Sequence, residues 1–423
     1  MNRYALIISL AAALLTGCGG SHPPNGAPGV TPPMPAIASG RSAAHRLSAS
    51  YQQLYRFSPA QDGARPGGGL LDVSGTLYGT TDAAGRGGKG KGTVYRITTG
   101  GEHKVLYRFQ GEPDGRNPQS GLLNVNGTLY GTTENGGPSG NGTVYSVSTS
   151  GTEKVLYAFK GAGGSDGCRP EARLVDVMGT LYGTTTGCGN FKCNSEYGCG
   201  TVFSVTTSGQ ETVLHSFAGC CSDGADPEAE LTYVNGVLYG TTSIGGLEDP
   251  GSGGTVFSIT LAGEEKVLYT FQGGSDGAEP DSGLIDVNGM LYGTTFYGGS
   301  HAACDDGQGC GTVYRVSTTG AEKVLYGFAG RSDGAGPASD LSEMNGVLYG
   351  TTSYGGNSHG FGSGTIFKVS TTGRERVLYR FGATQNDGVT PSSPLTKLNR
   401  TLYGTTAYGG GTHGYGTVFA LTP

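Results

Sequence analysis

A five-residue phrase, LYGTT, occurs seven times between residues 77 and 406 of the chain. The tyrosines of the seven copies are Tyr78, Tyr130, Tyr182, Tyr239, Tyr292, Tyr349 and Tyr403. Successive copies are therefore 52, 52, 57, 53, 57 and 54 residues apart. A period of this length, with short apolar runs separated by Gly, Asn, Asp and Ser, is typical of a four-stranded propeller blade. The sequence predicts seven such blades.

The second repeat shows how one blade is expected to be built. Apolar runs predict strand A over residues 122–125, strand B over 128–133, strand C over 143–148 and strand D over 154–159. Asn126-Gly127 between strands A and B is a strong signal for a tight hairpin turn. Strand B carries a glycine at Gly131, and a glycine inside a strand indicates close backbone approach. Because blades crowd most near the axis, we predict that strand B lies innermost.

The two ends of the repeat region predict how the ring closes. Residues 54–57 form an isolated D strand, and residues 416–422 form a C strand with no D strand after it. The first strand can therefore complete the last blade, which would leave no open sheet edge. The predicted fold is an all-β, seven-bladed β-propeller of four-stranded antiparallel blades, closed by its N-terminal strand.

The N-terminus has the pattern of an export signal. A basic residue, Arg3, precedes an apolar run at residues 5–15 that is too short to span a bilayer as a helix. The following LTGC, ending at Cys18, resembles a bacterial lipobox, which implies cleavage before Cys18 and acylation of that residue. Because Gly19 rather than Asp follows, the outer membrane of a diderm cell is the expected address. Whether the protein would face the periplasm or the exterior is left open.

Three segments follow from these patterns. Residues 1–17 are predicted to be a lipoprotein signal peptide, 18–50 a disordered tether rich in Pro, Gly and Ser, and 51–423 the propeller. The chain contains 82 glycines, but they fall in a fixed register of turns, which excludes a low-complexity interpretation. The net charge of -6 argues against nucleic acid or anionic headgroups as partners. Membrane contact is expected through the lipid anchor only.

Loops on one face of the predicted ring carry most of the sequence variation. The D-to-A and B-to-C connections emerge on this face, and they contain every cysteine except Cys18. Eight cysteines in an exported protein indicate disulfides, of which Cys304–Cys310 is the one pair we assign. The pairing of the other six is left open: Cys168, Cys188, Cys193, Cys199, Cys220 and Cys221. A thiolate metal site is the alternative; otherwise the sequence predicts no metal and no cofactor.

Aromatic and histidine residues gather in the B-to-C loops of the last three blades. These ligand-binding candidates are Tyr297, Tyr354, His359, Phe361, Tyr408, His413 and Tyr415. Exposed aromatic faces beside glycine backbone suit stacking on a sugar ring, with histidine and backbone groups holding its hydroxyls. The alternative is that these side chains pack on the neighbouring blade and stiffen glycine-rich loops.

Two further columns of the repeat carry acidic residues. A DGxxP motif occurs in all seven D-to-A loops, beginning at Asp62, Asp114, Asp166, Asp223, Asp276, Asp333 and Asp387. Asp-Gly favours a turn and Pro fixes φ before strand A, so a structural role is favoured over repeated cation binding. In strand A, one column reads Asp72, Asn124, Asp176, Tyr233, Asp286, Glu343 and Lys397. These side chains either line a channel or are solvated.

The repeat phrase resembles the GloVer tandem-repeat family of bacterial surface proteins. LYGTT, a glycine pair, GTVF and a following TTSG or TTG recur there at about this period, and the resemblance covers residues 51–423. It implies a propeller joined to a cell-surface anchor and carries no established activity. Kelch propellers are similar in layout, although this chain has no Trp.

No sequence motif for catalysis is present: the chain contains no GxSxG, no HExxH and no nucleotide-binding glycine fingerprint in the required context. We therefore expect a non-enzymatic cell-envelope lipoprotein whose propeller binds or scaffolds a protein or glycan on its variable-loop face. A polysaccharide-active enzyme, lyase or hydrolase, is the alternative, since carboxylates from separate loops could meet in space. A purely structural envelope role is the third possibility. The sequence names neither the ligand nor the oligomeric state.

Overall fold

Short apolar runs separated by tight turns become β-strands throughout the repeat region of the computed structural model. The structure describes residues 49–58, 61–83, 90–161, 166–190, 198–219, 223–247, 253–301, 304, 307–356, 362–411 and 414–423. These residues contain no α-helix. Residues 47–423 form one compact unit. The predicted signal peptide and most of the predicted tether lie outside the described residues.

Each of the seven repeats forms an antiparallel sheet in the order A-B-C-D. The A strands are Leu71–Val73, Leu123–Val125, Val175–Val177, Thr232–Val234, Ile285–Val287, Ser342–Met344 and Thr396–Leu398. The B strands are Thr76–Thr81, Thr128–Thr133, Thr180–Thr185, Val237–Thr242, Met290–Thr295, Val347–Thr352 and Thr401–Thr406. The C strands are Thr93–Thr98, Thr143–Ser148, Gly198–Thr206, Thr255–Thr260, Thr312–Ser317, Thr365–Ser370 and Thr417–Thr422. The D strands are His103–Arg108, Glu153–Ala158, Glu211–Ser216, Glu265–Thr270, Glu322–Gly327, Glu375–Arg380 and, for the last blade, Ser50–Arg56. The chain is thus a seven-bladed β-propeller.

The last blade takes its D strand from the beginning of the chain. Ser50–Arg56 pairs antiparallel with Thr417–Thr422, from Ser50 opposite Thr422 to Arg56 opposite Thr417. Phe57, directly after this strand, is 6% exposed and packs with Tyr95 of the first blade and Val418 of the last. The strand begins at Ser50, four residues before the run that the sequence marked at residue 54.

The A strands, rather than the B strands, lie innermost. Neighbouring A strands contact each other around the full ring, including those of the last and first blades. The prediction that strand B lies innermost is therefore wrong. The glycine of strand B has a different role: a Cβ at Gly131 would lie 2.5 Å from the hydroxyl oxygen of Tyr145 on strand C. Glycine is required because the strand C ring lies across this position.

The core is divided among the interfaces between blades. One cluster joins Tyr78 and Val94 of blade 1 to Leu129 and Tyr145 of blade 2, and equivalent clusters follow around the ring. The leucine of each LYGTT is fully buried in these clusters. Because each blade buries its apolar face only against its neighbours, stability depends on the complete set of interfaces.

Both threonines of LYGTT make buried hydrogen bonds. The second threonine bonds to a threonine of strand C, at 2.8–2.9 Å between hydroxyl oxygens in every blade; this threonine opens the strand in all blades except blade 3, where it is Thr201. In six of the seven copies the first donates to a carbonyl oxygen at the start of the next blade, as Thr80 does to Ser120 at 2.8 Å, whereas Thr351 pairs with the Ser339 hydroxyl of its own blade. The motif is repeated because one of its threonines ties two strands together and the other ties two blades together.

Buried tyrosines on strand C provide a test of this packing. Tyr145 is 0% exposed and its hydroxyl has no hydrogen-bond partner among the described residues, whereas blade 3 has Phe203 at the same position. An unpaired buried hydroxyl costs free energy that phenylalanine avoids. We expect Tyr145→Phe to raise the free energy of unfolding by about 1 kcal/mol, measured by urea denaturation. Phe203→Tyr is the reciprocal control and should lower it; destabilisation by Tyr145→Phe would contradict this account.

A second set of contacts joins blades at the outer edge of the ring. In five D strands a tyrosine hydroxyl donates to the aspartate of the DGxxP motif that follows, at 2.6–2.9 Å. These pairs are Tyr107–Asp114, Tyr157–Asp166, Tyr269–Asp276, Tyr326–Asp333 and Tyr379–Asp387. The same aspartates accept backbone N–H groups from the end of strand D, as Asp114 does from Gln110 at 2.9 Å. The DGxxP aspartates thus have the structural role that the sequence favoured, through tyrosine and strand contacts rather than a local turn alone.

Candidate functional site near the ring axis

The D-to-A and B-to-C loops of each blade lie together on one face. The DGxxP segment pairs with the residues that follow LYGTT, through bridges such as Ala64–Ala83 and Ala278–Tyr297 and short strands such as Gly115–Arg116 with Asn135–Gly136. The DGxxP segment then leads into strand A at the axis. Polar groups at the end of this segment are therefore delivered to the centre of the variable-loop face.

The residues at one equivalent position of the seven repeats come together near the axis. It lies directly before the leucine that precedes strand A, and in blade order it reads Gly69, Gly121, Arg173, Glu230, Gly283, Asp340 and Pro394. All seven leucines of the next column are 3% exposed or less. Because successive residues of an extended chain point to opposite sides, the side chains before these leucines point away from the blade interfaces.

Arg173, Glu230 and Asp340 form a connected group, which we call the axial cluster. The guanidinium of Arg173 donates twice to the Glu230 carboxylate, with Nη2 2.7 Å from Oε1. Asp340 accepts the backbone N–H of Gly283, and a Cβ at Gly283 would lie within 3 Å of both the Asp340 carboxylate and the Glu230 side chain. Glu230 and Asp340 belong to blades 4 and 6, so their contact passes over blade 5. A Cβ at Gly283 would lie 2.8 Å from Cγ of Glu230, which is why the intervening blade has glycine.

Crowding and charge set the protonation of the axial cluster. Burial, followed by the charge of Glu230, raises the pKa of Asp340 to about 7, against the opposing effect of Arg173. The nearby Glu230 raises the pKa of Arg173, so the guanidinium stays charged. Although protein atoms surround Arg173, 41% of its side chain remains accessible to solvent. The axial cluster is therefore within reach of a ligand from the loop face.

A polar band continues from the axis over the first three blades. Arg65 and Asp82 form an ion pair at 2.8 Å, and the Asn117 amide donates to Asp82 at 2.9 Å. Arg169 donates through one nitrogen to both Glu134 and Glu171, each at 3.1 Å. Burial and the neighbouring carboxylates raise the pKa of Glu171 to about 8. This part of the face offers both hydrogen-bond donors and acceptors.

The aromatic candidates occupy a different sector, over blades 5 to 7. Tyr354 packs against the core between blades 5 and 6, and Tyr415 packs against the core that contains Phe57. Tyr297 lies edge-to-face with Phe296, at 4.7 Å between ring centroids. Tyr408 is 38% exposed and is the candidate with the most accessible ring in the described part of this sector. His359, Phe361 and His413 lie outside the described residues.

Disulfides strengthen the same face. Cys168–Cys188 joins the D-to-A loop of blade 3 to its B-to-C loop, with the Cα atoms 5.3 Å apart. Cys304–Cys310, the pair assigned from the sequence, is present with a Cα separation of 5.1 Å. Cys199 is also disulfide-bonded, so it and Cys188 are not free thiolates for a metal. Cys18, Cys193, Cys220 and Cys221 lie outside the described residues.

The acidic column of strand A serves the hairpin turns. Asp72, Asp176 and Asp286 each accept the backbone N–H of the glycine three residues later, at 2.8–3.0 Å. Asn124 and Glu343 make the equivalent contact. These contacts explain the column as turn stabilisation rather than as an acidic ring.

The fold and the repeated motif together define a propeller built from one sequence family. The Gloeobacter/Verrucomicrobia repeat matches residues 44–194, 87–305 and 252–423, and the chain belongs to this family. No curated protein sequence matches the chain. In the part of the chain that is described, no helix is long and apolar enough to cross a bilayer.

Two solved structures match the chain at low identity, each with a TM-score below 0.5. A chain from the S. cerevisiae complex of Dbp5 with Nup159, Gle1, IP6 and ADP is 11% identical, with a TM-score of 0.45, covering 89% of this chain and 96% of that one. The phage phi92 endosialidase is 9% identical, with a TM-score of 0.47, covering 88% of this chain and 68% of that one.

The axial cluster was missed from the sequence, although a signal was available. Arg173, Glu230 and Asp340 stand in a column that is otherwise glycine and proline. Aligning the seven repeats column by column reveals three ionisable residues where the scaffold needs small ones. The contact between non-adjacent blades, however, appears only once the ring is closed.

Proposed function

We propose that this protein is a non-enzymatic cell-envelope lipoprotein whose propeller binds a ligand on the loop face, over the axial cluster. The observation that carries the proposal is the accessible, doubly hydrogen-bonded Arg173–Glu230 pair at the centre of that face. Function is commonly found in loops held by a rigid scaffold, and here the loops are tied together by disulfides and interblade hydrogen bonds.

The chemistry of this face suits a hydroxyl-rich ligand best. A guanidinium and carboxylates in fixed positions can exchange their mutual hydrogen bonds for those of vicinal hydroxyls. The polar band formed by Arg169, Glu134 and Glu171 extends this donor and acceptor pattern away from the axis. Tyr408 offers an exposed ring on the other side of the face for stacking. A glycan is the favoured ligand, and a protein is the other class that the test distinguishes.

The test uses the chain from residue 47, which contains every described residue. It is applied to a glycan array and, in parallel, to an envelope extract for pull-down. Arg173→Lys keeps the charge but loses the bidentate geometry, so affinity for the ligand found should fall at least about tenfold. Arg374→Lys is the matched control, because Arg374 is an exposed residue in the C-to-D hairpin of blade 6. This variant should leave the affinity unchanged. Equal affinity for both variants would remove the axial cluster from the proposal.

A polysaccharide-active enzyme is the second candidate, because Glu171 and Glu134 share Arg169 and burial raises the pKa of Glu171 to about 8. A protonated acid near a carboxylate is the arrangement that glycoside hydrolysis uses. Incubation with array-positive polysaccharides, followed by measurement of reducing ends and unsaturated products, separates the two candidates. Binding without product supports the binding module. Product that disappears in Glu171→Gln supports the enzyme.

Acylation of Cys18 can be tested separately from ligand binding. If Cys18 is acylated after signal cleavage, Cys18→Ser should abolish labelling by a fatty-acid analogue and leave an unprocessed or soluble exported form. Detergent partitioning of the expressed full-length protein measures this directly. Partitioning identical to that of the parent protein would exclude Cys18 as the anchor and, with it, the proposed outer-membrane location.

A further inference from the structure

One blade departs from the outer-edge contacts that the others share. Where six D strands have tyrosine, the D strand of blade 3 has His215. His215 Nε2 lies 2.8 Å from Oδ2 of Asp223, the aspartate of the following DGxxP motif. Glu265, at the start of the D strand of blade 4, faces the same point. The residues at this one interface are therefore a histidine and two carboxylates.

The three side chains converge closely. One ligand atom from each of His215, Asp223 and Glu265 can be chosen so that all lie within 4.8 Å of one another. Asp223 is 9% exposed, and the His215 side chain is 22% exposed. Oε1 of Glu265 is buried and has no hydrogen-bond partner among the described residues. Zinc lies about 2.0–2.2 Å from nitrogen and oxygen ligands, so the three donors would move closer together when an ion binds.

The change from tyrosine to histidine alters what this arrangement can bind. In the other blades a neutral phenol donates a proton to the aspartate, and a neutral phenol is a poor metal ligand. An imidazole nitrogen has a lone pair for a metal, and one imidazole with two carboxylates is a donor set that suits zinc. We propose that His215, Asp223 and Glu265 bind a zinc ion that joins blade 3 to blade 4. Three protein ligands leave the fourth position of a tetrahedral ion for water.

Charge balance supports this assignment. Metal ligation requires deprotonated ligands, and two carboxylates with a neutral imidazole then present two negative charges, which one bound divalent ion compensates. The other blades provide an internal comparison, because Tyr269, Asp276 and Glu322 keep the same two acids but offer no nitrogen. The zinc site is independent of the ligand proposed for the axial cluster.

The test compares the full-length protein with His215→Tyr, which restores the residue found in the other blades and so is expected to preserve the fold. Both proteins are stripped with chelator under non-reducing conditions, loaded with Zn²⁺, dialysed and analysed for bound metal. The parent should retain one more zinc per chain than His215→Tyr. Its thermal midpoint should rise by roughly 3–5 °C at a hundredfold excess of Zn²⁺ over Kd, and the variant's should not.

Two further variants complete the design. His301→Ala removes an exposed histidine elsewhere and should leave zinc retention and the thermal shift unchanged. Glu265→Gln keeps the shape of the side chain and should weaken zinc binding at least about tenfold, which provides a second test if His215→Tyr folds poorly. Equal zinc retention by parent, His215→Tyr and Glu265→Gln would overturn the site, as would a parent that retains no zinc.

Discussion

A chain that lacks residues 50–57 is expected to aggregate or to lose its cooperative unfolding transition. The deletion removes the D strand of blade 7 and exposes the edge of Thr417–Thr422, whose backbone groups would then be unpaired. It also removes Phe57, a buried side chain in the interface between the last and first blades. An open sheet edge and an unfilled interface arise from the same change.

The closing strand makes specific contacts whose loss should be large. Tyr51 stacks on Tyr379 with ring centroids 3.7 Å apart, and its hydroxyl donates to Asp387 at 3.3 Å. Burial of two aromatic side chains, Tyr51 and Phe57, stabilises by about 3–6 kcal/mol, before the strand pairing is considered. This is comparable with the whole stability of many domains.

The matched control for this deletion begins at residue 47. It lacks the N-terminal segment but retains Ser50–Arg56, so it should unfold cooperatively and remain monodisperse. Thermal unfolding followed by circular dichroism, with light scattering in parallel, measures both properties. If the deletion of residues 50–57 unfolds with the same midpoint and cooperativity as the control, the closing strand is dispensable and this view of the ring is wrong.

Much of the fold could be predicted because each repeat column has one environment in all seven blades. The hairpin at Asn126-Gly127 has positive φ at both residues, 53° and 85°, as its sequence indicated. The predicted B and C strands of that repeat have the observed bounds, Thr128–Thr133 and Thr143–Ser148. Seven copies of one column can be compared, so a turn or strand pattern that is ambiguous in one repeat becomes clear from the others.

The order of strands from the axis outward could not be predicted in the same way. Gly131 was interpreted as a sign of crowding at the axis, but the crowding comes from the Tyr145 ring on the adjacent strand. A glycine inside a strand indicates that another group lies close to its Cα, but the sequence does not identify that group. The three-residue A strands carry a weaker signal than the B strands, although they form the inner ring.

The candidate site was less predictable because it depends on exceptions to the repeat. Arg173, Glu230 and Asp340 come from three different blades, and two of them meet across a third. The binding candidates named from the sequence were aromatics in long loops, with packing on the neighbouring blade as the alternative, and Tyr354 and Tyr415 do pack against the core. Whether a loop aromatic is exposed depends on the neighbouring blade, which the local sequence does not describe.

Replacing Arg173 by methionine is expected to destabilise the ring in a way that depends on pH. The substitution keeps much of the side-chain volume but leaves the Glu230 and Asp340 carboxyl groups without their cation. Removing one partner of a buried ion pair costs about 3–5 kcal/mol, and exposed pairs contribute far less. Because 41% of the Arg173 side chain is accessible, we expect an intermediate loss of about 1–3 kcal/mol at pH 8.

The direction of the pH effect follows from Asp340. Its pKa in the folded protein is raised to about 7, above the value of about 3.9 for an unperturbed aspartate. The folded state therefore holds this proton more tightly, and stability is lost as the pH rises from about 4 through 7. Without Arg173 the pKa of Asp340 should rise further, so Arg173→Met should lose less stability at pH 5 than at pH 8.

Asp340→Asn in the Arg173→Met background removes the second negative charge and should recover most of the loss at pH 8. Urea denaturation of the three proteins at both pH values tests this; an equal loss at pH 5 and pH 8, with no recovery by Asp340→Asn, would show that the cluster is not electrostatically coupled.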